Sequence, residues 1–130
     1  MKKCIGLGLA LVLLCGVSGC GSSEAEEAAK DLIATMNELT AILNGIKDDA
    51  SADAAIPKIE KQAEKMSVLN RKMKLNKLTA EEDKKLEEKY RAQVAEAGKK
   101  LAGAMASAIQ KAPRKAQQIL AAVSRVRPQA

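Results

Sequence analysis

Few residues in this chain could do chemistry, and its three cysteines come first. Cys4, Cys15 and Cys20 all fall within the first 20 of 130 residues, and the chain has no histidine. A thiol serves as nucleophile, metal ligand or disulfide partner, and its reactive form is the thiolate. Without histidine there is no ordinary general base near neutral pH to produce it. Cys20 stands apart by its neighbours: it closes Val17-Ser18-Gly19-Cys20 after the uncharged run from Ile5 to Val17. The second chemical group is acidic, Asp48, Asp49 and Asp53. Three carboxylates could hold a cation, but this spacing lacks the ligand order of a calcium loop. Capping and solvation account for it more simply. There is no glycine-rich phosphate loop and no His/Cys metal spacing. These absences predict no enzyme, no metal and no cofactor.

The environment of Cys20 has a clear form. Met1-Lys2-Lys3 gives a positive start, thirteen uncharged residues follow, and small residues precede the cysteine. That order is the form of a secretory signal. The apolar run is too short for a spanning helix, which needs about 20 residues. With cysteine at the cut, Val17-Ser18-Gly19-Cys20 resembles the lipobox of bacterial lipoproteins. The resemblance covers only the first twenty or so residues and concerns processing. It implies a signal peptide at 1–19 and a thioether-linked diacylglycerol on Cys20, often with a third acyl chain on the amino group. Two or more chains hold a protein stably, at about 0.8 kcal/mol per buried CH₂. Gly21 stands where an aspartate would signal inner-membrane retention, which favours the outer membrane in a two-membrane cell. Cys15 follows Leu14 and lacks the small residue, and Cys4 lies in the signal. The alternative is an ordinary signal cut near Gly19 or Cys20, leaving a free thiol. Either way one mature cysteine remains, so no disulfide within the chain can support the exported domain.

Residues 20–130 suffice for one domain. They carry 20 basic and 16 acidic residues, a net of +4, and Tyr90 is the only aromatic. No extended run alternates with period two, so strands are not expected. The expected fold is all-α: an antiparallel helical bundle or hairpin of three main helices plus a shorter C-terminal helix. Its parts are a lipidated cysteine with a short tether at 20–23 and a single helical domain at 24–127.

Ser23 and Glu26 have capping-box spacing, which predicts a first helix over 23–44. Ala25, Ala29, Leu32, Met36, Leu39, Leu43 and Ile46 recur at steps of four and three, and Asn44-Gly45 signals its end. Lys47 to Ile56 reads as a connection, with Pro57 at the first position of a second helix ending near Asn76. The runner-up is a helix from Ser51 kinked at Pro57. Thr79 and Glu82 form another capping box. Leu86, Tyr90, Val94, Ala97, Leu101, Met105 and Ala108 make the stripe of a third helix, which Pro113 stops or kinks. A fourth helix over 114–126 carries Ile119, Leu120, Val123 and Val126.

Short connections make consecutive helices antiparallel neighbours. The first two helices span roughly 30 Å and the third roughly 48 Å. The fourth helix, or a second molecule, is expected to cover the overhang. Gly21 to Ser23 reach roughly 10 Å if extended, which holds the first helix close to the bilayer. Lys65, Arg71, Lys72, Lys74 and Lys77 then return toward the membrane. They can meet anionic head groups, meet Glu24, Glu26 and Glu27, or simply complement a helix C-terminus.

After Glu96 the chain has no acid, while Lys99, Lys100, Lys111, Arg114, Lys115, Arg125 and Arg127 follow. They form either a basic distal surface for an anionic partner or a solvated helical face. The expected function is a lipid-anchored, non-catalytic envelope interaction or structural protein. Its partners would be the membrane, through the lipid, and an anionic cell-wall polymer or an acidic protein. Nucleic acid is not expected, because export removes the chain from it and base-stacking aromatics are missing. The chain resembles the small helical murein lipoproteins in having a lipobox followed directly by a capped helix. It departs from them in its prolines, its several shorter helices and its Pro128-Gln129-Ala130 end, which has no wall-linking lysine. The alternative function is a carrier or chaperone for an apolar ligand, in a groove lined by Met36, Met66, Met73 and Met105. Gly98, Ala102 and Ala106 offer a smooth face for packing within the chain or for a homodimer.

Overall fold

Four α-helices account for almost all of the computed structural model, which describes residues 20–75 and 78–125, with side chains from Glu24 onward. They are α1 (Cys20–Asn44), α2 (Asp49–Leu75), α3 (Ala80–Lys111) and α4 (Ala116–Ser124), with a 3₁₀ turn at Pro113–Lys115 before α4. No strand occurs among the described residues. The signal segment 1–19, the lipobox residues Val17, Ser18 and Gly19, and also Lys77 and Arg127 lie outside the described residues.

α1 begins earlier than its cap pattern predicts. Its backbone is helical from Cys20, so Ser23 lies inside the helix and Gly21 to Ser23 are not an extended tether. Glu26 reaches Tyr90 on α3. The expected stripe is buried at Ala25, Ala29, Met36, Leu39, Leu43 and Ile46. Full burial of each large side chain is worth about 1.5–3 kcal/mol relative to exposure. Thr35 and Thr40 share the buried face. Their hydroxyls donate to the carbonyls of Asp31 (2.7 Å) and Met36 (2.8 Å), so neither polar group is orphaned.

The connection expected at 47–56 is largely helix, and Pro57 sits inside α2 rather than at its start. Asp48 is the reason. Its Oδ1 accepts from the Ser51 N–H (2.8 Å), Ser51 Oγ accepts from the Asp48 N–H (3.0 Å), and the Asp48 carbonyl accepts from Ala52 N–H (3.0 Å). That reciprocal cap starts the helix two turns before the proline. The turns it adds bury Ala52 and Ala55 and pack Ile56 against the core. Core burial on both sides of Pro57 offsets an interior-proline cost of about 3 kcal/mol.

α3 starts as predicted. Thr79 Oγ1 accepts from the Glu82 N–H (3.3 Å) and Glu82 Oε2 accepts from the Thr79 N–H (3.0 Å). It ends at Lys111, before Pro113. Its deepest residues are Tyr90, Ala97, Ala104 and Ala108, while Leu101 and Met105 pack on the core from its edge.

α1 packs against both α2 and α3, which make no comparable contact with each other. Glu26 meets Tyr90, and Met36 Cε lies 3.9 Å from where a Cβ on Gly98 would stand. The two pairs advance together along α1 and α3, so these helices run side by side in the same sense. α4 lies between α2 and α3 at the end where α3 finishes. Its main support is α2 rather than the overhang of α3 that it was expected to cover. Ile119 and Ala122 are fully buried there. Lys115 Nζ meets Asp53 Oδ1 at 2.7 Å and Arg125 meets Glu60 at 3.5 Å. α4 is short, and toward the start of α1 the described residues leave the space between α2 and α3 unfilled.

Candidate functional site

The unfilled space is a cleft of about 520 Å³. α1 supplies Ala29 and Leu32, α2 supplies Met73, and α3 supplies Leu86, Tyr90, Val94 and Ala95. Leu32, Met73, Leu86 and Val94 are half-buried, so the fold leaves them partly wet. Asp83, Glu87 and Arg91 edge the cleft, are exposed, and follow one another at steps of four along α3. Ligand sites of small molecules occupy about 300–1,000 Å³ and are mainly apolar with a few polar groups. The cleft fits both criteria.

Its wall is fixed by a polar cluster. Tyr90 is buried, and its hydroxyl donates to Glu26 Oε1 at 2.9 Å. Lys89 Nζ donates to the same oxygen at 2.7 Å, and Lys30 approaches it at 3.5 Å. The hydrogen bond from Lys89, then that from Tyr90, pulls the Glu26 carboxyl down to about 2 from 4.5. The same bond raises the Lys89 ammonium above its ordinary value. Lys89 Nζ also stands 5.6 Å from the Tyr90 ring centroid. With its hydroxyl occupied, Tyr90 offers the cleft a ring.

The three aspartates at the start of α2 are engaged separately. Asp48 caps α2, and its hydrogen bonds from Ser51 lower its pKa. Asp53 pairs with Lys115, and one oxygen of Asp49 is buried without a partner. No group of three His, Cys, Asp or Glu gathers as a metal site among the described residues.

Six of the seven candidate bases are described, and three of them are paired. Lys100 pairs with Glu96 at 2.8 Å, one turn away, and that contact lowers the Glu96 pKa. Lys115 and Arg125 are tied to Asp53 and Glu60 on α2. Lys99, Lys111 and Arg114 are exposed. Asp53, near the start of α2, lies at the end where α3 finishes, where it pairs with Lys115. Cys20 is the first described residue of α1, and its side chain, like Arg127, lies outside what is described.

Of the four methionines expected to line a groove, Met73 lines the cleft. Met36 and Met66 are buried in the core and Met105 packs against it. Of the smooth stripe, Gly98 faces Met36, while Ala102 and Ala106 are exposed. Sequence reasoning placed Leu86, Tyr90 and Val94 on the core stripe and did not single them out as a site. Their step-of-four spacing was the available signal. No described helix is long and apolar enough to cross a membrane. No protein-family model matches this chain, and neither a curated protein nor a solved structure matches it.

Proposed function

We propose that this chain is a lipid-anchored, non-catalytic protein of the bacterial envelope, an antiparallel helical bundle held at the membrane through a lipid on Cys20. The observation that carries this reading is the order of Met1-Lys2-Lys3, an uncharged run and Val17-Ser18-Gly19-Cys20, with Cys20 on α1, the helix against which both α2 and α3 pack. A lipid on that residue would join the core with no linker between them. Three helical residues from Cys20 to Ser23 span only about 5 Å, less than the extended tether would reach. The whole body would then be oriented by its anchor. Gly21 favours the outer membrane where there are two. Lys99, Lys111 and Arg114 remain available to an anionic cell-wall polymer or an acidic protein, and such contacts would weaken with salt.

Intact mass of membrane-extracted protein tests the anchor, with wild type compared to Cys20→Ala. A diacyl or triacyl mass on the wild type, lost in the variant together with membrane fractionation, is the expected result. An unmodified, soluble wild-type protein would overturn the reading.

The cleft favours a second reading, in which the anchored body carries an apolar ligand. Thermal unfolding with and without lipid tests it: a raised Tm with lipid supports a carrier, and no change opposes one.

A further inference from the structure

We propose that the cleft between α1, α2 and α3 holds one acyl chain of a zwitterionic phospholipid, with the head group at Glu87 and Arg91. The inference rests on the anchored reading for its supply of lipid and gives the carrier reading its ligand.

The walls decide the chain. Leu32, Met73, Leu86 and Val94 face the cleft half-buried and have no hydrogen bond to offer. The one wall hydroxyl, on Tyr90, is already used by Glu26 at 2.9 Å. A polar occupant would lose its water without replacement, whereas a hydrocarbon loses nothing and covers the wet side chains.

The rim decides the head. Glu87 and Arg91 are neighbours one helical turn apart, about 5–6 Å between Cβ atoms. Asp83 stands one turn further back. A fatty-acid carboxylate or a purely anionic head would reach Arg91 but meet two carboxylates. A head carrying both a phosphate and an ammonium gives each sign a partner, the phosphate at Arg91 and the ammonium at Glu87.

Position supplies the lipid. Ala29, at the cleft, is nine residues beyond Cys20 on the same helix, about 14 Å along its axis. A body anchored at Cys20 would hold the cleft beside the head-group layer, where one chain of a neighbouring lipid can swing into it.

The test uses the full chain purified from membranes and reconstituted in vesicles of phosphatidylethanolamine and phosphatidylglycerol. A trace of either lipid carries a diazirine on its acyl chain, and crosslinked peptides are mapped by mass. The expected result is labelling of α3 around Leu86 to Val94, stronger from phosphatidylethanolamine. Leu86→Asp should lower it about tenfold, because an unpaired carboxylate then lines the hydrocarbon's path. Leu120→Asp, which changes an exposed apolar residue outside the cleft, should leave labelling unchanged. Glu87→Lys should abolish the preference between lipids, because the ammonium then loses its partner and an anionic head gains one, and circular dichroism checks that each variant is folded. Equal labelling from both lipids, or labelling insensitive to Leu86→Asp, would each overturn the proposal. The intact mass of the same sample reads the lipid on Cys20. An unlabelled cleft on lipidated protein sinks this inference and spares the anchor, while a labelled cleft on unlipidated protein does the reverse.

Discussion

Tyr90 on α3 donates its hydroxyl to Glu26 on α1 at 2.9 Å, a bond that joins residues 64 apart in the chain and sets one wall of the cleft. The ring is buried while the hydroxyl is satisfied, so the residue contributes by packing and by hydrogen bonding separately. Tyr90→Phe removes only the second part and should cost about 1 kcal/mol, seen as a Tm lower by about 4 °C. Tyr90→Ala removes both and should cost about 3–5 kcal/mol. Urea unfolding of the two variants checks this, and equal losses would mean that the ring contributes nothing.

Glu26 makes that contact sensitive to acid. Its folded-state pKa is about 2 against an ordinary 4.5, with the Lys89 hydrogen bond the leading cause and the Tyr90 bond next. A depressed carboxyl pKa contributes stability that is complete above the unfolded value and fades as pH falls toward the folded one. The window is therefore pH 4.5 down to about 2. Glu26→Gln should flatten the fall of the urea midpoint across that window. It should not abolish it, because Asp48, Glu82 and Glu96 are also held below their ordinary values. Wild type and variant losing stability in parallel from pH 5 to pH 2 would rule Glu26 out.

The start of α2 sets a local cap against a local break. Ser51→Ala removes an acceptor used by the N–H groups of Lys47 and Asp48 and should cost about 1 kcal/mol. Pro57→Ala should do the opposite. It restores an N–H that can reach the Asp53 carbonyl, and Pro57 itself is exposed. A gain of about 1–3 kcal/mol is expected, below the full interior-proline penalty because the variant's unfolded chain is also freer. Urea midpoints measure both, and a destabilised Pro57→Ala would show that the ring has a packing role.

These helices also show which parts of the fold could be read from sequence. The Thr79–Glu82 box is legible because both partners lie within four residues and nothing distant competes for them. Ser23 and Glu26 have the same spacing, but the backbone is already helical at Ser23, and Glu26 finds Tyr90 and Lys89 across the fold. Pro57 misleads for a related reason: its cost is local, while the burial of Ala52 and Ala55 that outweighs it depends on the rest of the fold. The run of bases after Glu96 is plain in sequence, but two of its acid partners, Asp53 and Glu60, are over sixty residues away. The cleft is the least legible part. Leu86 and Val94 share the helical period of the buried residues, and among the described residues the short α4 does not reach them.

The docking of α4 can be tested at one side chain. Ile119 is fully buried, and α4 is only nine residues long, too short to be stable by itself in water. Its helix therefore depends on packing against α2, with the Lys115–Asp53 and Arg125–Glu60 pairs adding little at the surface. Ile119→Ala should cost about 2–5 kcal/mol. Because α4 lies at the edge of the core, part of that loss should appear as local opening. Amide hydrogen exchange should rise over 116–124 before it rises in α1. Lys115→Ala should change stability by less than about 1 kcal/mol and leave the exchange pattern intact. Fast exchange over 116–124 already in the wild type would show that α4 is undocked in solution, and the cleft would then extend along the whole length between α2 and α3.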